Sequence, residues 1–142
     1  MQISSRFTIA IHMLTCMETF KEDYKITSDF LASSINVNPV IIRRILSQLR
    51  DAGMIEVKRG TGGASVIKPL SEITFLDVYQ AVECIEENTL FHFHENPNPA
   101  CPAGKNIHNI LDDKLLRVQQ AMERELASIT LEDVMGDLEK YL

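Results

Sequence analysis

The sequence predicts a mostly α-helical protein with a small β-wing: a winged helix-turn-helix joined to a long C-terminal dimerisation helix. Three observations carry that prediction. Residues 27–66, TSDFLASSINVNPVIIRRILSQLRDAGMIEVKRGTGGASV, read as helix, tight turn, helix and then a hairpin with a basic, glycine-rich tip. In that order of elements, a helix enters a major groove while a hairpin reaches the neighbouring backbone. Further on, Ile107, Leu111, Leu115, Val118, Met122 and Leu126 recur every three or four residues, an apolar seam suited to pairing with a second helix. Finally, the charge is split. Residues 1–70 hold nine Lys/Arg against six Asp/Glu, net +3, whereas residues 71–142 hold five against fourteen, net −9. The chain is acidic as a whole, at −6, yet its first half has the sign expected of a phosphate-facing surface.

The elements follow in order. Phe7, Ala10, Ile11, Leu14 and Met17 define the buried face of a first helix from about Ser4 to Glu18. A charged connection, Lys21 to Lys25, leads to Thr27, a good N-cap for a second helix that turns Phe30, Leu31 and Ile35 inward. Asn36, Val37 and Asn38 make the turn; Asn38 then caps the third helix, and Pro39 takes its first position, where a missing N–H costs nothing. That helix buries Ile42, Ile45, Leu46 and Leu49 and presents Val40, Arg43, Arg44, Ser47 and Gln48 on its opposite face. Gly53 is its expected C-cap.

A strand over Met54 to Lys58, a turn over Arg59-Gly-Thr-Gly-Gly63 and a strand over Ala64 to Lys68 form the wing. Thr74, with Asp77 at the capping-box position, starts a further helix whose apolar face is Phe75, Val78, Tyr79 and Val82. Residues 88–100, NTLFHFHENPNPA, read as a loop. The long helix runs from about Ala103 to Ala127, and Thr130 caps a last short helix reaching about Tyr141. The chain therefore divides into a winged helix-turn-helix DNA-binding domain (1–86), a sensor-type loop (87–102) and the dimerisation helix with its short C-terminal helix (103–142).

Arg43 and Arg44 sit near the start of the third helix, where a guanidinium fork contacts two guanine acceptors or clamps a phosphate. Gln48, one turn on, suits adenine or phosphate. Arg59 at the wing tip is placed for phosphate or the minor groove, with Gly60, Gly62 and Gly63 letting the backbone come close. Thr27 and Ser28 start the second helix and suit phosphate contact; Asn38, Val40, Ser47 and Thr61 complete the expected DNA-facing set. The alternative is a solvated basic face, or one that touches protein, as in a non-catalytic winged-helix interaction module. The sequence has no nucleophile–base signature of an enzyme, and the RGTGG turn is no P-loop, because no Gly-Lys-Ser/Thr follows.

The opening SSRFTIAIHML, the ASSINVNPVIIRRILSQLRDAGMIEVKRGTGGA core and the TFLDVYQAVE helix together resemble the Rrf-two family of bacterial winged-helix transcription regulators over nearly the whole chain. The resemblance implies a transcription regulator, usually a repressor. It further implies a homodimer whose long helices pair, here through Ile107, Leu111, Leu115, Val118 and Met122, and whose two winged domains bind a pseudo-palindromic operator in double-stranded DNA. The best-known branch of that family holds an iron–sulfur cluster through three cysteines in the loop before the long helix. This loop has one, Cys101, so the resemblance points to the cluster-free branch, some of whose members respond to thiol oxidation, and no cofactor is expected.

Cys101 precedes Pro102 and opens the long helix, where free N–H groups and the dipole attract negative charge. It is the redox candidate, with a cysteine packed at a helix start as the alternative; Cys16 and Cys84 fall on helical core patterns. His92, His94, Cys101 and His108 have the chemistry of zinc or copper ligands, in a spacing that matches no standard finger. Phe91 and Phe93 suit either a small-molecule pocket or a clasp that pins the loop to the core, which leaves a metal- or small-molecule-responsive regulator as a further alternative. Three cysteines without close pairing suit a reducing compartment, no run is long enough to span a membrane, and a cytoplasmic location is expected.

Overall fold

A computed structural model of the chain describes residues 3–60, 62–82, 90, 91 and 93–142. Among them, α1 (Arg6–Thr19), α2 (Ser28–Ile35) and α3 (Pro39–Asp51) precede a two-stranded antiparallel sheet, β1 (Ile55–Lys58) and β2 (Gly63–Val66). There follow α4 (Phe75–Ala81), α5 (Pro102–Ser128) and α6 (Leu131–Glu139). The strands pair from Ile55 opposite Val66 to Lys58 opposite Gly63. Both wing strands are one residue shorter than the runs Met54 to Lys58 and Ala64 to Lys68, although Ile67 N–H still donates to Met54 O at 3.0 Å just beyond the paired register.

One core unites these elements. Met13, Leu14 and Met17 of α1, Leu31 of α2, Ile42, Ile45 and Leu49 of α3, and Met54 and Ile55 at the wing are almost wholly buried. The i, i+3, i+4, i+7 stripe of α3 is thus its inward face, and it fixes which residues face out. Val78 of α4 and Leu131 of α6 join the same cluster. The chain's last helix therefore returns to pack on α1.

Local chemistry sets the boundaries. Thr27 Oγ1 accepts the Phe30 N–H at 3.1 Å to start α2, and Asn38 Oδ1 accepts the Val40 N–H at 2.8 Å to start α3 behind Pro39. Side-chain caps of this kind each contribute about 1 kcal/mol. The α3 C-cap is Ala52; Gly53 is the residue after it, and its φ of +79° supplies the left-handed step that turns the chain into the wing. Thr74 with Asp77 and Thr130 with Asp133 form two capping boxes. They lie side by side: Thr74 and Thr130 form an isolated antiparallel bridge, flanked by Phe75 N–H to Ile129 O and Leu131 N–H to Ile73 O, both 2.8 Å.

The long helix starts one residue before its sequence pattern suggests, with Cys101 itself as N-cap and Pro102 at the first position. No residue of α5 is buried. Ile107, Leu111, Leu115 and Met122 are half-buried, while Val118 is 52% exposed and Ile110 45% exposed. A 27-residue helix that buries nothing completely in its own chain leaves an apolar side without a partner.

Candidate nucleic-acid interface

The turn between α2 and α3 is built by Asn36, whose φ of +63° lets its N–H and that of Val37 close on Ala32 O at 2.8 and 3.1 Å. This tight closure joins α2 directly to α3, and Asn38 and Val40 at the start of α3 are exposed. Val40, Arg43, Arg44 and Ser47 are spaced i, i+3, i+4 and i+7, so they form one stripe opposite the buried one, and all four are exposed. The Ser47 hydroxyl donates to Arg43 O at 3.2 Å. Among the described residues no carboxylate pairs with Arg43, Arg44 or Arg59, which leaves their guanidinium groups available to an outside anion.

The wing is fastened to the start of α2 through the backbone. Ala64 N–H donates to Ile26 O at 2.8 Å, next to the α2 cap Thr27. Gly63, at φ +69°, passes so close that a Cβ there would lie 2.9 Å from Ile26 N. Only glycine fits that crossing. The result is a cleft of about 340 Å³ between the start of α2, the outer side of α3 and the wing, lined in part by Thr27, Ser28, Arg43, Ser47, Arg50 and Lys58. Exposed Arg59, Gly60 and Gly62 form the described part of the wing tip, and Gly60 also lines the cleft.

Most of the expected set meets on this surface: Thr27, Ser28, Asn38, Val40, Arg43, Arg44, Ser47 and Arg59. Thr61 lies outside the described residues. Gln48 stands at the edge of this surface. It is only half-exposed, and its Oε1 is buried with no hydrogen-bond partner, because one further residue of helical rotation carries it from the outer stripe to the flank. Two residues join that were not expected, Arg50 and Lys58, both of which line the cleft. Arg50 was readable, since it stands seven residues after Arg43 and so on the same side of the helix. Arg50 Nη2 lies 3.5 Å from Asp51 Oδ1, and Lys58 Nζ lies 3.9 Å from Glu56 Oε1; all four side chains are exposed, so these pairs bind weakly.

Among the described residues the candidate sensor side chains do not come together in one place. Cys16 is buried in α1, its Sγ 3.5 Å from Ser34 Oγ, whereas Cys101 is exposed at the start of α5. Cys84 and His92 lie outside the described residues. Phe93 stacks on His108 at 4.1 Å between ring centroids, which pins the loop to α5, and His108 Nδ1 lies 3.8 Å from Asp112 Oδ1. Among the described residues no group of three or more His, Cys, Asp or Glu is placed to hold a metal ion, so His94, Cys101 and His108 are not a formed site. The two thiols described sit on different elements, one of them inside the core, and this donor set does not fit an iron–sulfur cluster. No described helix is long and apolar enough to cross a membrane.

Comparison with known proteins places this geometry among relatives. The model of the Rrf2 family, described as "Iron-dependent Transcriptional regulator", matches residues 3–137. The chain is 47% identical over 136 residues to YwnA of Bacillus subtilis (strain 168), by name a candidate HTH-type transcriptional regulator, covering 96% of this chain and 98% of that one. A solved structure described as a candidate DNA-binding protein is 41% identical, with a TM-score of 0.72, and the match covers 92% of this chain and 99% of that one. A second, a candidate transcriptional regulator from Lactobacillus plantarum, is 25% identical with a TM-score of 0.78 over 95% and 90% of the two chains.

Proposed function

The chain belongs to the Rrf2 family of transcriptional regulators, and we propose that it is a homodimeric repressor that reads a pseudo-palindromic operator in double-stranded DNA. One observation carries the reading: an outward stripe of Val40, Arg43, Arg44 and Ser47 beside a wing that carries Arg59, with no carboxylate among the described residues paired to the three guanidinium groups. In this reading α3 lies in the major groove, Arg43 and Arg44 contact base edges, and Arg59, Thr27 and Ser28 hold the flanking backbone. Two half-sites need two readers, and the uncovered apolar side of α5 supports pairing with a second copy. Operator occupancy by the dimer excludes other proteins from the same stretch of DNA, which accounts for repression. The site of action is with the DNA, in the cytoplasm.

Selection of bound fragments from random DNA, followed by two substitutions, tests the reading. Arg43→Ala is expected to cost about 1–3 kcal/mol on the selected operator and to relax preference at one position. Arg59→Ala is expected to weaken all sequences alike and to reduce the salt slope by about one per wing. Absence of enrichment in the selection would assign the basic face to an acidic protein partner instead.

Release is the other half of regulation. Among the described residues no group of donors is placed to hold a cluster, and the proposed trigger is oxidation of the exposed Cys101 thiol, without a cofactor. Mild peroxide is expected to lower operator affinity of the parent and to leave Cys101→Ser unchanged in a titration of both proteins. An equal response of the two removes Cys101 from the switch.

A further inference from the structure

We propose that Val40 reads the C5-methyl group of a thymine in each operator half-site, an inference that rests on the DNA-binding reading and adds base identity to it. Val40 is 62% exposed, the most exposed large apolar side chain of α3, and it is the first residue of the stripe that also carries Arg43, Arg44 and Ser47. It follows Pro39 at the helix start, the end of a recognition helix that reaches the base edges first. Its backbone N–H is already taken by Asn38 Oδ1 at 2.8 Å, so this position offers the DNA only its side chain. An isopropyl group neither donates nor accepts a hydrogen bond. Of the groups that base pairs display in the major groove, only the thymine methyl is apolar.

The side chain is also ready-made for that contact. A β-branched residue in a helix is held largely in one χ1 rotamer, so little side-chain freedom is lost when a base packs against it. Isopropyl against methyl then buries apolar surface from both partners, which a C·G or G·C pair at that position does not provide. With arginines one turn further along suited to guanine, the stripe predicts a half-site in which a thymine lies within a few base pairs of a guanine.

The test uses the full-length protein and the operator obtained by selection. Each thymine of a half-site is replaced in turn by deoxyuridine, which removes one methyl and leaves every hydrogen-bonding group and phosphate in place. At one position the parent is expected to lose affinity by about fourfold for each half-site changed, the worth of one buried methyl group. Val40→Ala is expected to bind thymine and deoxyuridine operators alike at that position, whereas Val40→Thr, which keeps one methyl, retains part of the difference. Because Val40 packs so little within the chain, neither variant is expected to shift the melting temperature, so a lost difference is not a lost fold. Equal binding of the two operators by the parent at every thymine overturns the inference while leaving DNA binding intact; so does an undiminished difference in Val40→Ala. Failure to select any operator overturns the DNA-binding reading and this inference with it.

Discussion

Ile110→Glu combined with Val118→Glu is expected to yield a monomer in sedimentation velocity and to weaken binding to a two-half-site operator by about 10²–10⁴-fold, the range that joining two binding modules confers. Both side chains are exposed in the single chain, so the glutamates leave its core untouched. They bring four carboxylates into an interface of two paired helices, where burying unpaired charge is costly. Leu111, in the same stretch, is half-covered by its own chain, and a glutamate there would confound dissociation with unfolding. A dimer of unchanged mass would move the interface away from this part of α5.

Leu49→Ala is expected to lower folding stability by about 2–5 kcal/mol in urea denaturation. Leu49 is wholly buried, it is the last residue of the inward stripe of α3, and its carbonyl accepts the Met54 N–H at 3.1 Å as the chain enters the wing. Against a total of about 5–15 kcal/mol for a domain, the loss is large. A truncation on the opposite side of the same helix, Arg44→Ala, is expected to stay within about 0.5 kcal/mol. If Leu49→Ala and Arg44→Ala unfold alike, the stripe does not seat the recognition helix.

The sequence was most readable where a few neighbouring residues settle the structure. Thr27, Asn38 with Pro39, and Thr74 with Asp77 each satisfy helix-start N–H groups through atoms two or three residues away, and all three caps stand as expected. The buried stripe of α3 was legible for the same reason, being a property of one helix. The exposure of its counterparts Val40, Arg43, Arg44 and Ser47 followed from it; the half-cover of Gln48 did not, because a residue at the edge of an exposed arc is shaped by what packs beside it. The docking of the wing was hidden as well. Gly63 was readable as a turn glycine, but its near-contact with Ile26 joins backbones far apart in sequence, and no side-chain pattern records that. The bridge between Thr74 and Thr130 is of the same kind: each cap was legible, their meeting was not.

That bridge has a mechanical consequence. A helix of 27 residues is about 40 Å long, and α5 has Cys101 at one end and the Thr74–Thr130 stitch just beyond the other. The stitch clamps its C-terminal end to α4 and α6, and α6 in turn to α1. In a pair of such chains α5 would act as a boom pivoting at that clamp, and its angle would set the spacing between the two reading heads. A disturbance at the Cys101 end then need not reach the DNA-facing residues to release the operator; a small swing of the boom would take two intact heads out of step with the helical repeat of the DNA.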